Sequence, residues 1–143
     1  METIPQDNTP ATTLESTGRE AGRIKLLRLR SSRVPRLVIK TGTRRIFLAP
    51  EKVEWIQAER DYMRLHVGRE SHLVRETMQQ MEALLDSKRF LRVHRSTIVN
   101  LEFVKQLEPM YSGDYKIVLR DGTELASSRG YRNRLRPLLR QAL

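Results

Sequence analysis

Serine and arginine stand side by side at two points of the sequence where an apolar stretch pauses or ends. His94-Arg95-Ser96 separates two apolar runs, and Ser127-Ser128-Arg129 follows a third. A hydroxyl at such a point can donate to a phosphate oxygen, and the neighbouring guanidinium can bond O6 and N7 of guanine in a major groove. These residue types therefore suit contact with duplex nucleic acid, although solvated surfaces also carry such pairs.

The end of the chain adds positive charge to these motifs. No acidic residue occurs from Arg129 to Leu143. That stretch contains Arg129, Arg132, Arg134, Arg136 and Arg140. The whole sequence has 27 Lys and Arg against 17 Asp and Glu, a formal net charge of +10 with the histidines neutral. Such an excess favours an anionic partner, either nucleic acid or an acidic membrane surface, without deciding between them.

Signals for catalysis or a bound cofactor are weak. The sequence has no cysteine, which excludes disulfides, thiolate metal sites and cysteine nucleophiles. His66, His72 and His94 do not have the spacing of a zinc motif, and no GxSxG, GxxxxGK[ST] or GxGxxG occurs. We predict no catalytic activity, no metal and no cofactor. With no signal peptide and no run of about 18 apolar residues, we predict a cytoplasmic protein without membrane contact.

Composition divides the chain into a tail, a linker and one domain. Residues 1–18 are polar and rich in threonine, which predicts disorder. Residues 19–36 are basic, and their pattern leaves open a short docking helix, a phosphate-contacting arm or a solvated linker. Pro35 favours extended structure at the residue before it. We therefore assign 1–36 to a tail and basic linker, and 37–143 to a single domain.

The domain has mostly strand patterns. Thr41-Gly42-Thr43 and Asp121-Gly122 are hairpin signals between apolar runs. Residues 62–67 alternate, which predicts that Met63, Leu65 and Val67 are buried. The same alternation places Tyr62, Arg64 and His66 on the opposite face.

Two helices are predicted, one inside the domain and one at its end. Thr77 and Gln80 match a capping box, followed by an apolar side at helical spacing. That side consists of Met78, Met81, Leu84 and Leu85. Residues 131–143 can form a second helix, with a break or bend expected at Pro137.

One stretch resembles a known family. Phe90-Leu91-Arg92-Val93-His94-Arg95-Ser96-Thr97-Ile98-Val99-Asn100-Leu101 looks like the F-x-R-x-H-[RN]-S-x-[IVL]-V-N core of the LytTR domain, the DNA-binding output half of many bacterial response regulators. The resemblance extends from about Leu37 to Arg140. It includes the stretches 53–58, 61–63, 73–84, 113–115 and 128–131.

The resemblance implies stacked antiparallel β-sheets with one short helix between strands, and DNA reading by loops at strand ends in successive major grooves. By position, the base-contacting residues are Tyr62, Arg95 and Arg129. The residues implied as phosphate contacts or supports are Ser96, Ser128, Arg64, Arg132, Asn133 and His94. For His94 a structural imidazole bonded to backbone is an equal alternative. Asn100 is more simply read as a turn-stabilising residue, and Trp55 as core.

The implied partners are double-stranded DNA, with two copies on direct-repeat half-sites, and a receiver or other signalling partner. Two features depart from the family pattern. Gly130 stands where a second basic residue is common, and the 36 residues before the domain are too few for a receiver. A fragment, a misplaced start and a free-standing regulator all stay open. So do two other functions, a non-specific DNA- or RNA-binding module and a partner-binding domain acting through its N-terminal arm.

Overall fold

The computed structural model describes residues 21–28 and 34–142, with side chains up to residue 140. Within these residues the chain forms eleven strands and two α-helices. The strands are β1 (Arg23–Leu27), β2 (Arg36–Thr41), β3 (Arg44–Leu48), β4 (Trp55–Glu59), β5 (Tyr62–Val67), β6 (Glu70–Val74), β7 (Phe90–His94), β8 (Thr97–Asn100), β9 (Val104–Pro109), β10 (Tyr115–Leu119) and β11 (Glu124–Ala126). The helices are α1 (Met78–Leu84) and α2 (Arg132–Ala142), and short 3-10 turns span Pro50–Lys52, Leu101–Phe103 and Arg129–Tyr131. The predicted tail, 1–18, lies outside the described residues.

The strands form three antiparallel sheets. The largest has five strands in the order β6-β5-β4-β8-β7, and we call it the central sheet. The two others have three strands each, in the orders β1-β2-β3 and β11-β10-β9. This architecture confirms the predicted fold class, mostly β with stacked antiparallel sheets and few short helices.

Alternation along the central strands creates two separate cores, one on each face of the central sheet. Ile56 and Ile98 belong to the first core, whereas their neighbours Trp55 and Val99 belong to the second. The first core also contains buried residues of β1, β2 and α1: Ile24, Leu37, Ile39, Met78 and Met81. The second contains buried residues of β7, β10 and α2: Val93, Ile117, Leu119 and Leu135. Because successive side chains of a strand point to opposite faces, one sheet can support both layers.

The region predicted as a basic linker contributes a strand instead. Arg23–Leu27 pairs with β2 along its whole length, and Ile24 is only 6% exposed. Just before it, Gly22 is packed so closely that a Cβ would lie 2.6 Å from side-chain atoms of Ile39 and Thr41. The described part of the predicted linker is therefore packed into the fold, because it alternates polar and apolar residues in the register that β2 requires.

Most local predictions agree with the structure. The capping box is present, since the Thr77 hydroxyl accepts from Gln80 N–H at 3.0 Å and the Gln80 side chain accepts from Thr77 N–H at 2.8 Å. Both predicted hairpins form, β2–β3 and β10–β11. In β5, Met63 and Leu65 are buried as expected, but Val67 at the strand's end is only partly buried.

The predicted break at Pro137 does not occur, since α2 continues through it. Proline removes one helical hydrogen bond and crowds the preceding turn. Packing compensates, because Leu135 is 1% exposed and Leu138 and Leu139 pack against the second core. These buried and partly buried leucines hold the helix together despite the proline.

Two histidines should make folding stability depend on pH. Burial lowers the pKa of His66, which stacks on Trp55 with ring centroids 4.0 Å apart, and burial also lowers the pKa of His72. The folded chain therefore resists protonation more than the unfolded chain. The stability is present above the unfolded value, about 6.5, and is lost as pH falls through it toward the folded pKa values.

We accordingly expect a lower free energy of unfolding at pH 5.5 than at pH 7.5, measured by urea denaturation. A His66→Gln/His72→Asn double variant should show a smaller difference between the two pH values. An equal difference in the variant and the wild type would contradict this assignment.

Candidate nucleic-acid interface

Connections far apart in sequence meet at one end of the central sheet. Ala58 N–H donates to Ser96 O at 2.9 Å, which brings the β4–β5 turn beside the β7–β8 turn. Ser128 N–H donates to Val93 O at 3.0 Å, which adds the segment after β11. Met63 pairs with Val74, so the end of β6 lies here too. We call this surface the loop edge and define it as residues 60–62, 75, 95–96 and 128–130.

The first loop is a tight turn with a strained residue at its tip. Arg60 and Asp61 are exposed between β4 and β5, and Arg60 has φ of +60°, the region where non-glycine residues are rare. Tyr62 follows as the first residue of β5 and is half-buried. The Arg75 guanidinium lies 5.9 Å from the Tyr62 ring centroid and holds the ring from the side of β6.

The second loop follows a β-bulge. The pairing of β7 with β8 shifts register between Arg92 and His94, which leaves one extra residue before the turn. His94 Nδ1 accepts from Ser96 N–H at 3.1 Å and lies 2.9 Å from Ser96 Oγ. These bonds support the structural alternative for His94, and in the neutral ring they place the hydrogen on Nε2. Arg95, at the tip, is exposed.

The third loop is held by a buried serine and presents an exposed arginine. Ser127 is 2% exposed, and its Oγ accepts from Tyr115 N–H at 2.9 Å. Ser128 O then accepts from Tyr131 N–H at 3.0 Å, which closes the 3-10 turn. Arg129 and Gly130 are exposed on this turn. Of the two adjacent serines, Ser127 is therefore a buried structural residue, whereas Ser128 lies at the surface.

Arg92 connects the second and third loops from behind. Its side chain is 17% exposed, and Nη2 donates to Arg95 O at 2.6 Å. Nη1 reaches Glu82 Oε1 at 3.3 Å, and the guanidinium lies 5.2 Å from the Tyr131 ring centroid. Arg134 approaches the same carboxylate at 2.7 Å and the same ring at 5.0 Å. Arg92 therefore bonds the backbone of the second loop and contacts the tyrosine ring at the end of the third.

Arg64, which was predicted to support DNA contact, and Asn100, which was predicted to stabilise a turn, both have internal partners. Arg64 is 16% exposed, and its guanidinium bonds both carboxylate oxygens of Glu59, at 2.6 and 3.1 Å, and Ser71 Oγ at 2.9 Å. Asn100 is fully buried and donates to Glu51 O and Val53 O, while its Oδ1 accepts from Glu102 N–H. Asn100 is therefore the turn-stabilising residue that was expected. The pair with Glu59 orders the first loop and occupies Arg64.

Sequence reasoning missed Arg60 and Arg75 on this surface. The two polar residues between β4 and β5 do indicate that Arg60 is exposed, because short turns expose their central residues. For Arg75 no local signal exists, since its place beside Tyr62 depends on the pairing of β5 with β6. Arg132 and Asn133 lie away from these turns, in a cleft beside the third loop.

Within the described ranges, no group of three or more His, Cys, Asp or Glu side chains is placed to hold a metal ion. In the same part of the chain, no helix combines the length and apolar character needed to cross a bilayer.

The sequence of this chain matches a known domain family and several named proteins. The family model for the LytTr DNA-binding domain matches residues 43–140. Sensory transduction protein LytT of Bacillus subtilis is 27% identical over 104 residues, which cover 73% of this chain and 43% of that protein. LytT of Bacillus anthracis is 32% identical over 72 residues, 50% of this chain and 29% of that protein. The chain thus matches less than half the length of these relatives.

A solved structure shares the fold. The LytTr DNA-binding domain of a Bacillus cereus response regulator superposes with a TM-score of 0.66 at 24% identity, covering 76% of this chain and 98% of that one. The family match spans the central sheet, α1, most of α2 and all three loops of the loop edge. This chain belongs to the LytTr DNA-binding domain family.

Proposed function

We propose that this chain regulates transcription by reading the major grooves of a specific duplex-DNA site with the three loops of the loop edge. The observation that carries the proposal is the convergence of Arg60, Arg95 and Arg129. They are separate in sequence, yet each is exposed on the loop edge. Arg60 and Arg95 lie in turns of the central sheet, and Arg129 lies in the segment after β11, which bonds to Val93 of that sheet. Guanidinium groups held on such a scaffold suit paired hydrogen bonds to guanine.

Each loop has a separate part in this proposal. Arg95 and Arg129 read bases, and Tyr62 contacts a base edge while Arg75 supports its ring. Ser128, together with Arg132 and Asn133, contacts phosphate and sets the register of the domain on the duplex. His94 and Ser96 shape the second turn, and His94 Nε2–H is the donor that they offer to a phosphate. Arg64 is left out, because Glu59 and Ser71 already occupy its guanidinium.

Selection of bound sequences from random duplex DNA tests the proposal. We expect enrichment of two similar half-sites in direct repeat, bound by two copies of the domain. A non-specific nucleic-acid module would instead show steep salt dependence and no preferred sequence. Absence of enrichment would therefore favour that second function over sequence-specific regulation.

Removing either base-reading arginine should weaken binding without unfolding the domain. We expect Arg95→Ala and Arg129→Ala each to reduce affinity for the selected site by about 1–3 kcal/mol, because each loses a bidentate base contact. Gel-shift titration measures the change. Arg69→Ala is the matched control, since Arg69 is exposed in the β5–β6 turn at the opposite end of the central sheet. Wild-type affinity in both test variants would reject the base-contact assignment.

The relatives extend the proposal to signalling. Two of them are named sensory transduction proteins, and this chain matches only part of each. We therefore propose that the domain is a cytoplasmic output module that acts with a receiver or other signalling partner and has no catalytic activity of its own.

A further inference from the structure

We propose that the cleft between the β9–β10 loop and the start of α2 binds a backbone phosphate of DNA beside the half-site, which adds a fourth DNA-contacting segment. The proposal rests on the DNA-binding function proposed above. The cleft has a volume of about 490 Å³. Residues 111–113 line one side, and Arg129, Arg132, Asn133 and Arg136 line the other.

The charge of the cleft calls for an anion. Three guanidinium groups line it, and no carboxylate does. Arg132 Nε is buried and has no hydrogen-bond partner among the described residues. A phosphate in the cleft can bond the outer nitrogens of these guanidinium groups, since arginine binds phosphate through several N–H groups at once. Asp114, the acid of the neighbouring loop, has its Oδ2 within 3.3 Å of Ser112 Oγ, and its buried Oδ1 has no hydrogen-bond partner among the described residues.

The loop side of the cleft is shaped to admit arginine. Gly113 has φ of +90°, and a Cβ there would lie 2.9 Å from Arg132 Nη2. The absent side chain therefore lets the Arg132 guanidinium lie directly against the loop. Beside it, Tyr111 is fully exposed, with no packing role in the domain. An exposed ring next to a phosphate site is suited to pack against a deoxyribose.

The position of the cleft identifies its occupant as part of a longer polyanion. Tyr115 N–H donates to Ser127 Oγ, and Ser127 N–H donates to Tyr115 O, both at 2.9 Å. These bonds fix the β9–β10 hairpin beside the third loop. Arg129 belongs to both the loop edge and the cleft. A duplex that follows the loop edge past Arg129 therefore brings its backbone to the cleft.

Arg136→Ala tests the proposal, because Arg136 is exposed and lies outside the three loops. On the selected site, we expect the slope of log affinity against log salt to become shallower by about 0.9, the loss of one phosphate contact. Ethylation of one flanking phosphate should inhibit the variant less than the wild type, because the variant has lost one of the arginines that line the cleft. The base contacts, mapped by methylation interference, should not change. Arg136→Lys should restore the slope, and Arg69→Ala is the control for loss of one exposed charge.

Tyr111→Ala tests the loop itself. It should lower affinity and leave the salt slope unchanged, because the ring carries no charge. Wild-type affinity in this variant would contradict the fourth contact, and so would a wild-type slope and ethylation pattern in Arg136→Ala. Inorganic phosphate supplies a further test, with its binding followed by NMR as shifts of residues 111–113. If phosphate bound tightly and Arg136→Ala kept the wild-type salt slope, the cleft would bind a free ligand and the proposal would be overturned. If the wild type selects no site, the proposed function fails, while slopes on random duplex DNA still test the cleft.

Discussion

Ile24→Ala is expected to lower the free energy of unfolding by about 2–5 kcal/mol, the range for truncating a buried aliphatic side chain. Ile24 is 6% exposed and packs in the first core with Leu37 and Ile39 of β2. Urea denaturation measures the loss. Lys25→Ala is the matched control, since Lys25 is the exposed neighbour on the same strand.

The size of this effect depends on how firmly β1 is held. Glu76, 9% exposed, accepts from Ile24 N–H at 3.2 Å and from Arg23 Nε at 2.9 Å. A buried carboxylate with these partners fixes the strand from outside its sheet. If Ile24→Ala and Lys25→Ala unfolded at the same urea concentration, β1 would contribute nothing and the stable domain would begin at β2.

The anchoring of β1 also has a consequence for the loop edge. Gly22 N–H donates to Leu73 O, and Arg75 N–H donates to Gly22 O, at 2.9 and 2.8 Å. Arg75 in turn lies over the Tyr62 ring. The chain therefore enters the domain beside the first loop, through a strand that precedes the family match at residue 43. A shift of the segment around Gly22 would therefore be transmitted to Tyr62 through Arg75.

Local signals in the sequence were enough for most elements. A hairpin at Gly42, the capping box at Thr77 and the alternation of β5 each depend on neighbouring residues, and all three are present. The strand at Arg23–Leu27 has the same alternation but is short and basic, so its pairing with β2 decides its structure. The continuity of α2 at Pro137 is likewise decided by contacts with the second core.

The candidate site likewise contains some features that local sequence patterns predict and others that they do not. The positions of Arg95 and Arg129 at strand ends follow from local patterns. The ion pair of Arg64 with Glu59 depends on the register of β4 with β5, in which Glu59 lies opposite Tyr62. The contact of Arg92 with Tyr131 joins residues about forty positions apart, and no local pattern contains it. Roles that depend on pairing between distant strands therefore became visible only in the structure.

Arg92→Ala is expected to weaken binding to the selected site by more than the loss of one base-reading arginine. One such contact contributes about 1–3 kcal/mol of binding free energy. We expect Arg92→Ala to lose more than this and at most about twice as much, because two loops lose their support. Arg92 bonds Arg95 O, and it lies against Tyr131 at the end of the third loop. Gel-shift titration measures the affinity, and circular dichroism confirms that the variant is folded.

A purely structural effect of Arg92 can be separated from positioning by a double-mutant cycle. If Arg92 holds the third loop in place, Arg129→Ala should cost less affinity in the Arg92→Ala background than in the wild type, a coupling of about 0.5–3 kcal/mol. Arg89→Ala supplies the control, because Arg89 lies near the start of β7 and pairs with Glu102 instead. Additive losses would show that Arg92 stabilises the fold without positioning Arg129. A coupling confined to Arg92 would show that the second and third loops read DNA as one unit, because both depend on the same guanidinium.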